Sequence, residues 1–201
     1  MKTLVLFFGF ILAINFTVKS QDKLLDSVSL AMYQEYTDLK EALLNPDNVI
    51  KLSLRKKKYK TFPEELYQFK NLQYLDLSKN AIQELPDSIV RFKNLQYLIM
   101  SKNGLRTLPK NIGQLKSLRH LNVNQNELLV LPFSFGDLEN LEVADLWSNN
   151  LDYFPETMVN LKKLKWMDLR NILIPQVNQD KIQAMLPETV IYFSPPCNCS
   201  W

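Results

Sequence analysis

NLQYLDLSKNAIQELPDSIVRFK (71–93) and NLQYLIMSKNGLRTLPKNIGQLK (94–116) are one segment written twice, and together they fix a period of 23 residues. Extended in both directions, the period gives units opening at Asn48, Asn71, Asn94, Ser117, Asn140 and Lys163, with no insertion between them. An unbroken period of this size means stacked supersecondary units, none of which buries its apolar side alone. Counted from the opening residue, the second, fifth and seventh positions are apolar. The fifth reads Leu52, Leu75, Leu98, Leu121, Ala144, Met167; the seventh reads Leu54, Leu77, Met100, Val123, Leu146, Leu169. Alternation with period two predicts a short strand that sends these side chains inward and the intervening ones to the opposite face. Strands of successive units then lie in parallel at ~4.8 Å, so equivalent positions form rows.

Two further positions recur. The tenth is Asn80, Asn103, Asn126 and Asn149. A primary amide both donates and accepts, so it suits backbone groups left unpaired where a strand ends and the chain turns. Lys57 stands there in the first unit, and the sixth has Asn171 one place early; terminal repeats are expected to be atypical. Phe62-Pro63, Leu85-Pro86, Leu108-Pro109, Leu131-Pro132 and Phe154-Pro155 mark a turn, because proline fixes φ and lacks an N–H. The apolar residues that follow, Ile89 with Phe92 and Ile112 with Leu115, fit one short helical turn.

The pattern L-x-x-L-x-L-x-x-N-x-L-x-x-L-P-x-x-I-x-x-L resembles the leucine-rich repeat family, in its 23-residue class, over residues 48–193. The resemblance implies an α/β solenoid: a right-handed horseshoe with a parallel sheet on the concave side and helical or irregular turns outside. It also implies a binding scaffold more often than an enzyme.

A solenoid must close both ends. Asp38-Leu-Lys-Glu41 reads as a capping box that starts a helix presenting Leu39, Ala42 and Leu43 and ending at Asn45-Pro46. Residues 22–36 show helical spacing through Leu25, Val28 and Met32. At the other end Ile182, Met185 and Leu186 read as a last helix, and Val190 to Phe193 as a last strand.

The first twenty residues, MKTLVLFFGFILAINFTVKS, read as a secretory signal peptide, with Val18 and Ser20 flanking a cleavage that leaves Gln21 first. Their apolar run from Leu4 to Phe16 falls short of the ~20 residues of a spanning helix, and no later segment is long and apolar enough to span a bilayer. The domain reading is therefore a signal peptide over 1–20, an N-terminal helical cap over 21–47, about six repeats over 48–175, and a C-terminal cap with a Cys-x-Cys tail over 176–201. The expected location is periplasmic, cell-surface or secreted, and the expected state a monomer.

Without Lys2 and Lys19 the chain carries 22 basic against 21 acidic residues, a net charge of +1, which gives no global reason to expect nucleic acid as a partner. Cys197 and Cys199 are too few for a structural zinc site, and a bridge across one residue is strained. An exposed tail and a fastening of the cap both remain open. Asn198-Cys199-Ser200 formally matches a glycosylation sequon.

The outward strand positions hold the candidate site. The fourth position reads Lys51, Tyr74, Tyr97, His120, Val143, Trp166; the sixth Ser53, Asp76, Ile99, Asn122, Asp145, Asp168; the eighth Arg55, Ser78, Ser101, Asn124, Trp147, Arg170. Aromatics among hydrogen-bonding groups are typical of recognition surfaces. The expected partner-binding set is Tyr74, Asp76, Tyr97, Ile99, His120, Asn122, Asp145, Trp147, Trp166, Asp168 and Arg170, with a protein or peptide as ligand. Carbohydrate or cell-wall glycan is the alternative, and cross-strand stabilisation is the reading that needs no ligand. Asp145 and Asp168 lie at about 5 Å in adjacent repeats, a separation that suits a glycosidase pair or a hard cation, or simple pairing with Arg170 or Lys165. An open sheet builds no deep pocket, and the sole histidine, His120, has no nucleophile elbow or glycine loop beside it. No catalytic residue, cofactor or metal is expected. The basic run Arg55-Lys56-Lys57-Lys58-Tyr59-Lys60 reads as a solvated turn or a dock for an acidic partner. Leu129, Val130 and Phe133 form a second, smaller candidate patch.

Overall fold

The computed structural model describes residues 24–195; the expected signal peptide, both cysteines and the sequon lie outside them. Each repeat contributes one short strand: β2 (Lys51–Ser53), β3 (Tyr74–Asp76), β4 (Tyr97–Ile99), β5 (His120–Asn122), β6 (Val143–Asp145) and β7 (Trp166–Leu169). β1 (Glu35–Tyr36) precedes them and β8 (Val190–Phe193) follows. All eight pair in parallel in chain order, and the register joins equivalent positions: Lys51 to Tyr74, Tyr97, His120, Val143 and Trp166. The rows predicted by the period are therefore real rows, on the sheet of a leucine-rich repeat horseshoe.

The second, fifth and seventh positions are buried in every repeat, from Val49, Leu52 and Leu54 to Leu164, Met167 and Leu169. They form one continuous core with the apolar residues of the outer turns, among them Leu66, Ile89, Ile112, Phe135 and Met158. Those turns are 3-10 helices: Glu64–Gln68, Asp87–Arg91, Ile112–Gln114, Phe133–Asp137 and Glu156–Asn160. Pro63, Pro86, Pro132 and Pro155 stand immediately before four of them, with φ between −68° and −70°. Each proline carbonyl accepts the N–H three residues on, at 2.8–3.3 Å. Proline thus supplies the pre-set φ and the acceptor while its missing N–H costs nothing.

The asparagine ladder has the predicted chemistry. Asn126 accepts from Leu105 N at 3.0 Å and donates to the carbonyls of Met100 and Val123 at 3.0 and 2.8 Å. Asn80, Asn103 and Asn149 repeat the arrangement in their own repeats. Each side chain ties its own strand end to the preceding repeat. In the sixth repeat Asn171 takes the ninth position instead, and buried Ile172 replaces the ladder residue. No repeat follows there, so the apolar cap covers the site.

The caps match in part. Asp38 accepts from Lys40 N and Glu41 N at 2.9 and 3.1 Å and starts α2 (Leu39–Ala42), which buries Ala42. α3 (Gln176–Met185) buries Ile182 and is followed by buried Leu186, and β8 closes the sheet on β7. The helix expected over 22–36 is shorter, α1 (Ser27–Met32), and its buried residue is Leu30, 3 % exposed, whereas Val28 and Met32 are 72 % and 83 % exposed. A six-residue helix is held by tertiary contacts at one turn and has no stripe to bury. Leu25 is fixed by its backbone: its N–H donates to Gln73 Oε1 at 2.9 Å and its carbonyl accepts from Gln96 Nε2 at 2.8 Å.

Candidate functional site: the open face of the sheet

The fourth-position row forms a nearly continuous stack. Glu35 Oε1 lies 3.7 Å from Lys51 Nζ, which sits over the Tyr74 ring at 5.2 Å. Tyr74 meets Tyr97 at 5.8 Å, and Tyr97 lies on His120 at 4.3 Å with an 8° interplanar angle. Strand pairing imposes this order, because side chains at one position stand one strand spacing apart. Burial, aided by Asp76 and Glu35, pushes the Tyr74 hydroxyl up to about 12, so it remains a neutral donor. Burial also holds the His120 imidazole below its ordinary range, and His120 makes no side-chain hydrogen bond among the described residues. Trp166 leans on Tyr192 of β8 at 5.9 Å, and the Arg170 guanidinium covers the same Tyr192 ring at 5.4 Å. Trp147, half-buried, has no ring partner among the described residues.

The sixth-position row is a set of turn formers. Asp76, Asn122, Asp145 and Asp168 each accept the N–H two residues on, at 2.7, 3.1, 3.3 and 2.9 Å. A short acceptor at this place lets the chain leave the strand and turn. Ile99, half-buried in the same row, has no such acceptor and is the row's apolar member. Asp76 and Asp168 are only 7 % and 3 % exposed, so these two of the expected contact residues support the surface more than they present it.

The carboxylate pair is occupied. Asp168 takes a bidentate clamp from Arg170, with Nε at 3.0 and 3.1 Å and Nη2 at 2.5 Å. Asp145 Oδ2 accepts from Asn122 and Asn124 at 3.0 and 2.6 Å. Burial, together with the nearby Asp168 charge, raises the Asp145 carboxyl above its usual range, against the hydrogen bond from Asn124. Of the two basic partners expected for these acids, Arg170 is present, but Lys165 pairs with Glu142 at 2.6 Å, which also holds Arg119 at 2.5 Å. Among the described residues no three His, Cys, Asp or Glu side chains converge as metal ligands, and no helix is long and apolar enough to cross a membrane.

The second patch is exposed as expected and gains a member. Phe133 is 65 % exposed and meets Tyr153 edge-on at 6.2 Å, beside Leu129 and Val130. Val130 and Tyr153 form an isolated parallel bridge, which puts neighbouring repeats in register on this side too. Three features escaped the sequence reading. Tyr153 stands in the turn of the fifth repeat, where only the preceding repeat reveals its neighbour. Gln73 and Gln96, which hold Leu25, are visible in the sequence only as the repeated NLQYL. The ninth position of all six repeats has left-handed φ, at Lys56, Lys79, Lys102, Gln125, Ser148 and Asn171 (51° to 59°).

Residues 50–128 match the family model of a leucine-rich repeat region. The chain is a leucine-rich repeat protein. No curated protein matches it by sequence. Among solved structures, this leucine-rich repeat protein is similar to a Leptospira interrogans leucine-rich repeat protein, at 34% identity and a TM-score of 0.65, over 82% of this chain and 47% of that one. It is also similar to the ectodomain of the Arabidopsis thaliana receptor kinase GASSHO1/SCHENGEN3, solved with Casparian strip integrity factor 2 (26% identity, TM-score 0.61, 74% of this chain, 18% of that one). A plant peptide hormone receptor, RGFR1, solved with RGF2, matches at 29% identity and a TM-score of 0.56 over 71% of this chain and 22% of that one. The chain spans about half the length of the Leptospira protein and about a fifth of each plant receptor.

Proposed function

We propose that this protein is an exported recognition module that binds a protein or peptide across the open face of β3 to β7. The observation that carries this reading is the pre-ordered face itself. Tyr97 and His120 are locked by stacking, and Asn122 and Asp145 by turn hydrogen bonds and by each other. Ile99, Trp147 and Trp166 stand among them. A surface whose side chains are already fixed loses little rotamer freedom on binding. The complexes named for the two plant receptors support a peptide as the kind of ligand such a sheet accepts. Export rests on the signal-like first twenty residues, and a monomer is the state in which the sheet stays open. With Asp168 clamped by Arg170 and Asp145 tied to two amides, the face offers no free acid–base couple, so the reading is non-enzymatic.

Carbohydrate is the weaker reading on this geometry. Sugar stacking uses an open ring face, whereas Tyr97 and His120 face each other and Trp166 leans on Tyr192. That leaves Trp147. The test is parallel selection on a displayed peptide library and a glycan array with residues 21–201. The expected result is a peptide whose affinity falls by about 2 kcal/mol or more in Trp147→Ala. Glycan binding that disappears in Tyr97→Ala or Trp166→Ala would replace the peptide reading.

A further inference from the structure

The ninth position needs a left-handed residue and nothing more. Gln125, Ser148 and Asn171 satisfy it in the last three repeats, at φ of 51°, 56° and 59°. Asn and Gly are the residues that adopt this backbone most readily. The first three repeats instead carry Lys56, Lys79 and Lys102, at 59°, 55° and 55°. Each lysine N–H donates to the eighth-position carbonyl of the next repeat: Lys56 to Ser78 at 3.1 Å, Lys79 to Ser101 at 2.8 Å, Lys102 to Asn124 at 3.0 Å. The three side chains therefore leave one rim of the sheet in a row, at the ~4.8 Å strand spacing. Arg55 stands beside Lys56, and Lys57 and Lys58 extend the row into the turn.

Like charges in a row repel, and the fold does not offset it. The ion pairs of the described residues lie elsewhere, so none of the three ammonium groups meets a carboxylate. Asp76, the nearest acid in the repeat pattern, is buried and turned onto Ser78 N. Asp38 acts on Lys57, at the turn end of the run, and on its own neighbour Lys40, and on none of the three ninth-position lysines. Arg55, Lys102 and Lys56 together hold the Lys79 ammonium below its ordinary range, the mark of a concentrated positive potential.

We propose that this rim binds the carboxylates of an acidic segment in the peptide that lies on the sheet, and so sets which end of the peptide faces the first three repeats. The proposal rests on the sheet being the peptide-binding face. An acidic peptide fits better than a sulfated glycan because Tyr74, Tyr97 and Ile99 stand on β3 and β4, the strands that lead to Lys79 and Lys102. A chain with alternating side chains reaches both the cations and these apolar groups, whereas a glycan engages the cations alone.

The experiment is fluorescence anisotropy on residues 21–201 with a labelled peptide that alternates Glu and Ala around a central Tyr, its Gln-for-Glu counterpart, and a heparin oligosaccharide. At about 50 mM salt the Glu peptide binds at least tenfold more tightly than the Gln peptide, and the difference fades as salt screens it. The triple variant Lys56→Gln, Lys79→Gln, Lys102→Gln removes the difference without lowering the melting temperature. A second triple, Lys110→Gln, Lys162→Gln, Lys181→Gln, with the same change in net charge, retains it. Equal loss in both triples, no loss in the rim triple, or preference for heparin at equal charge overturns the proposal. If Trp147→Ala weakens both peptides while the rim triple changes neither, the sheet stands as the binding face and the rim assignment falls. If rim-dependent binding survives Trp147→Ala and Tyr97→Ala together, the reverse holds.

Discussion

At the scale of single residues, two positions show how the same chain stores different kinds of constraint. Lys102 sits at φ 55°, a backbone that costs an L side chain roughly 1–2 kcal/mol. Lys102→Gly is therefore expected to hold or raise the melting temperature, and Lys102→Val to lower it, measured by thermal unfolding in parallel. His120 is a pH prediction. Because burial lowers its folded pKa below the unfolded value near 6.5, its contribution is fully present above that value and is lost as pH falls through the window beneath it. Between pH 7 and 5 the protein is expected to lose stability, and His120→Gln to lose less over the same window; an equal loss in both would mean that the ring titrates freely. These constraints were unevenly legible. The ladder asparagines were readable because an amide at a strand end has one obvious chemical use. The left-handed ninth position was not, because lysine signals charge and says nothing of φ. Asp76 and Asp168 alternate with buried residues, as open-face positions do, yet Arg170 and the turn hydrogen bonds close them off, a consequence of side-chain length that no period displays.

At the scale of the element, the outer turns are packed as tightly as the strands. A Cβ added at Gly113 would stand 2.1 Å from Ser134 O, and one at Gly136 would stand 2.2 Å from Thr157 O. Both glycines occupy the same repeat position, where the next turn passes directly over the backbone. Gly136→Ala is expected to cost about 1–3 kcal/mol by overpacking, read as a drop in the denaturant midpoint with unchanged slope. Val90 and Val159 hold the equivalent position in other repeats, so the repeat pattern does not mark glycine as required in these two. The strands, α3 and β8 were legible because their apolar spacing is their packing. α1 was misjudged because Leu30, two residues from both Val28 and Met32 of the expected stripe, is the one that is buried.

At the scale of the whole molecule, the solenoid is closed by unlike ends, and opposite faces of the same strands are divided between the core and the proposed recognition surface. Removing residues 182–201 takes away Ile182, Leu186 and the whole of β8, so the sixth repeat loses its cover. The truncated chain is expected to melt earlier or to aggregate in light scattering, and an unchanged monomer would place the cap elsewhere. The division of faces is the central claim, and one paired measurement reaches it: thermal unfolding of Asn126→Ala and Trp147→Ala side by side. Asn126 spans two repeats with hydrogen bonds to buried backbone groups, so its loss is expected to cost ~1–3 kcal/mol. Trp147 stands on the open side without a ring partner among the described residues, so its loss is expected to leave the melting temperature nearly unchanged. A silent Asn126→Ala beside an unfolded Trp147→Ala would shift the register by one residue and turn the proposed binding face into core.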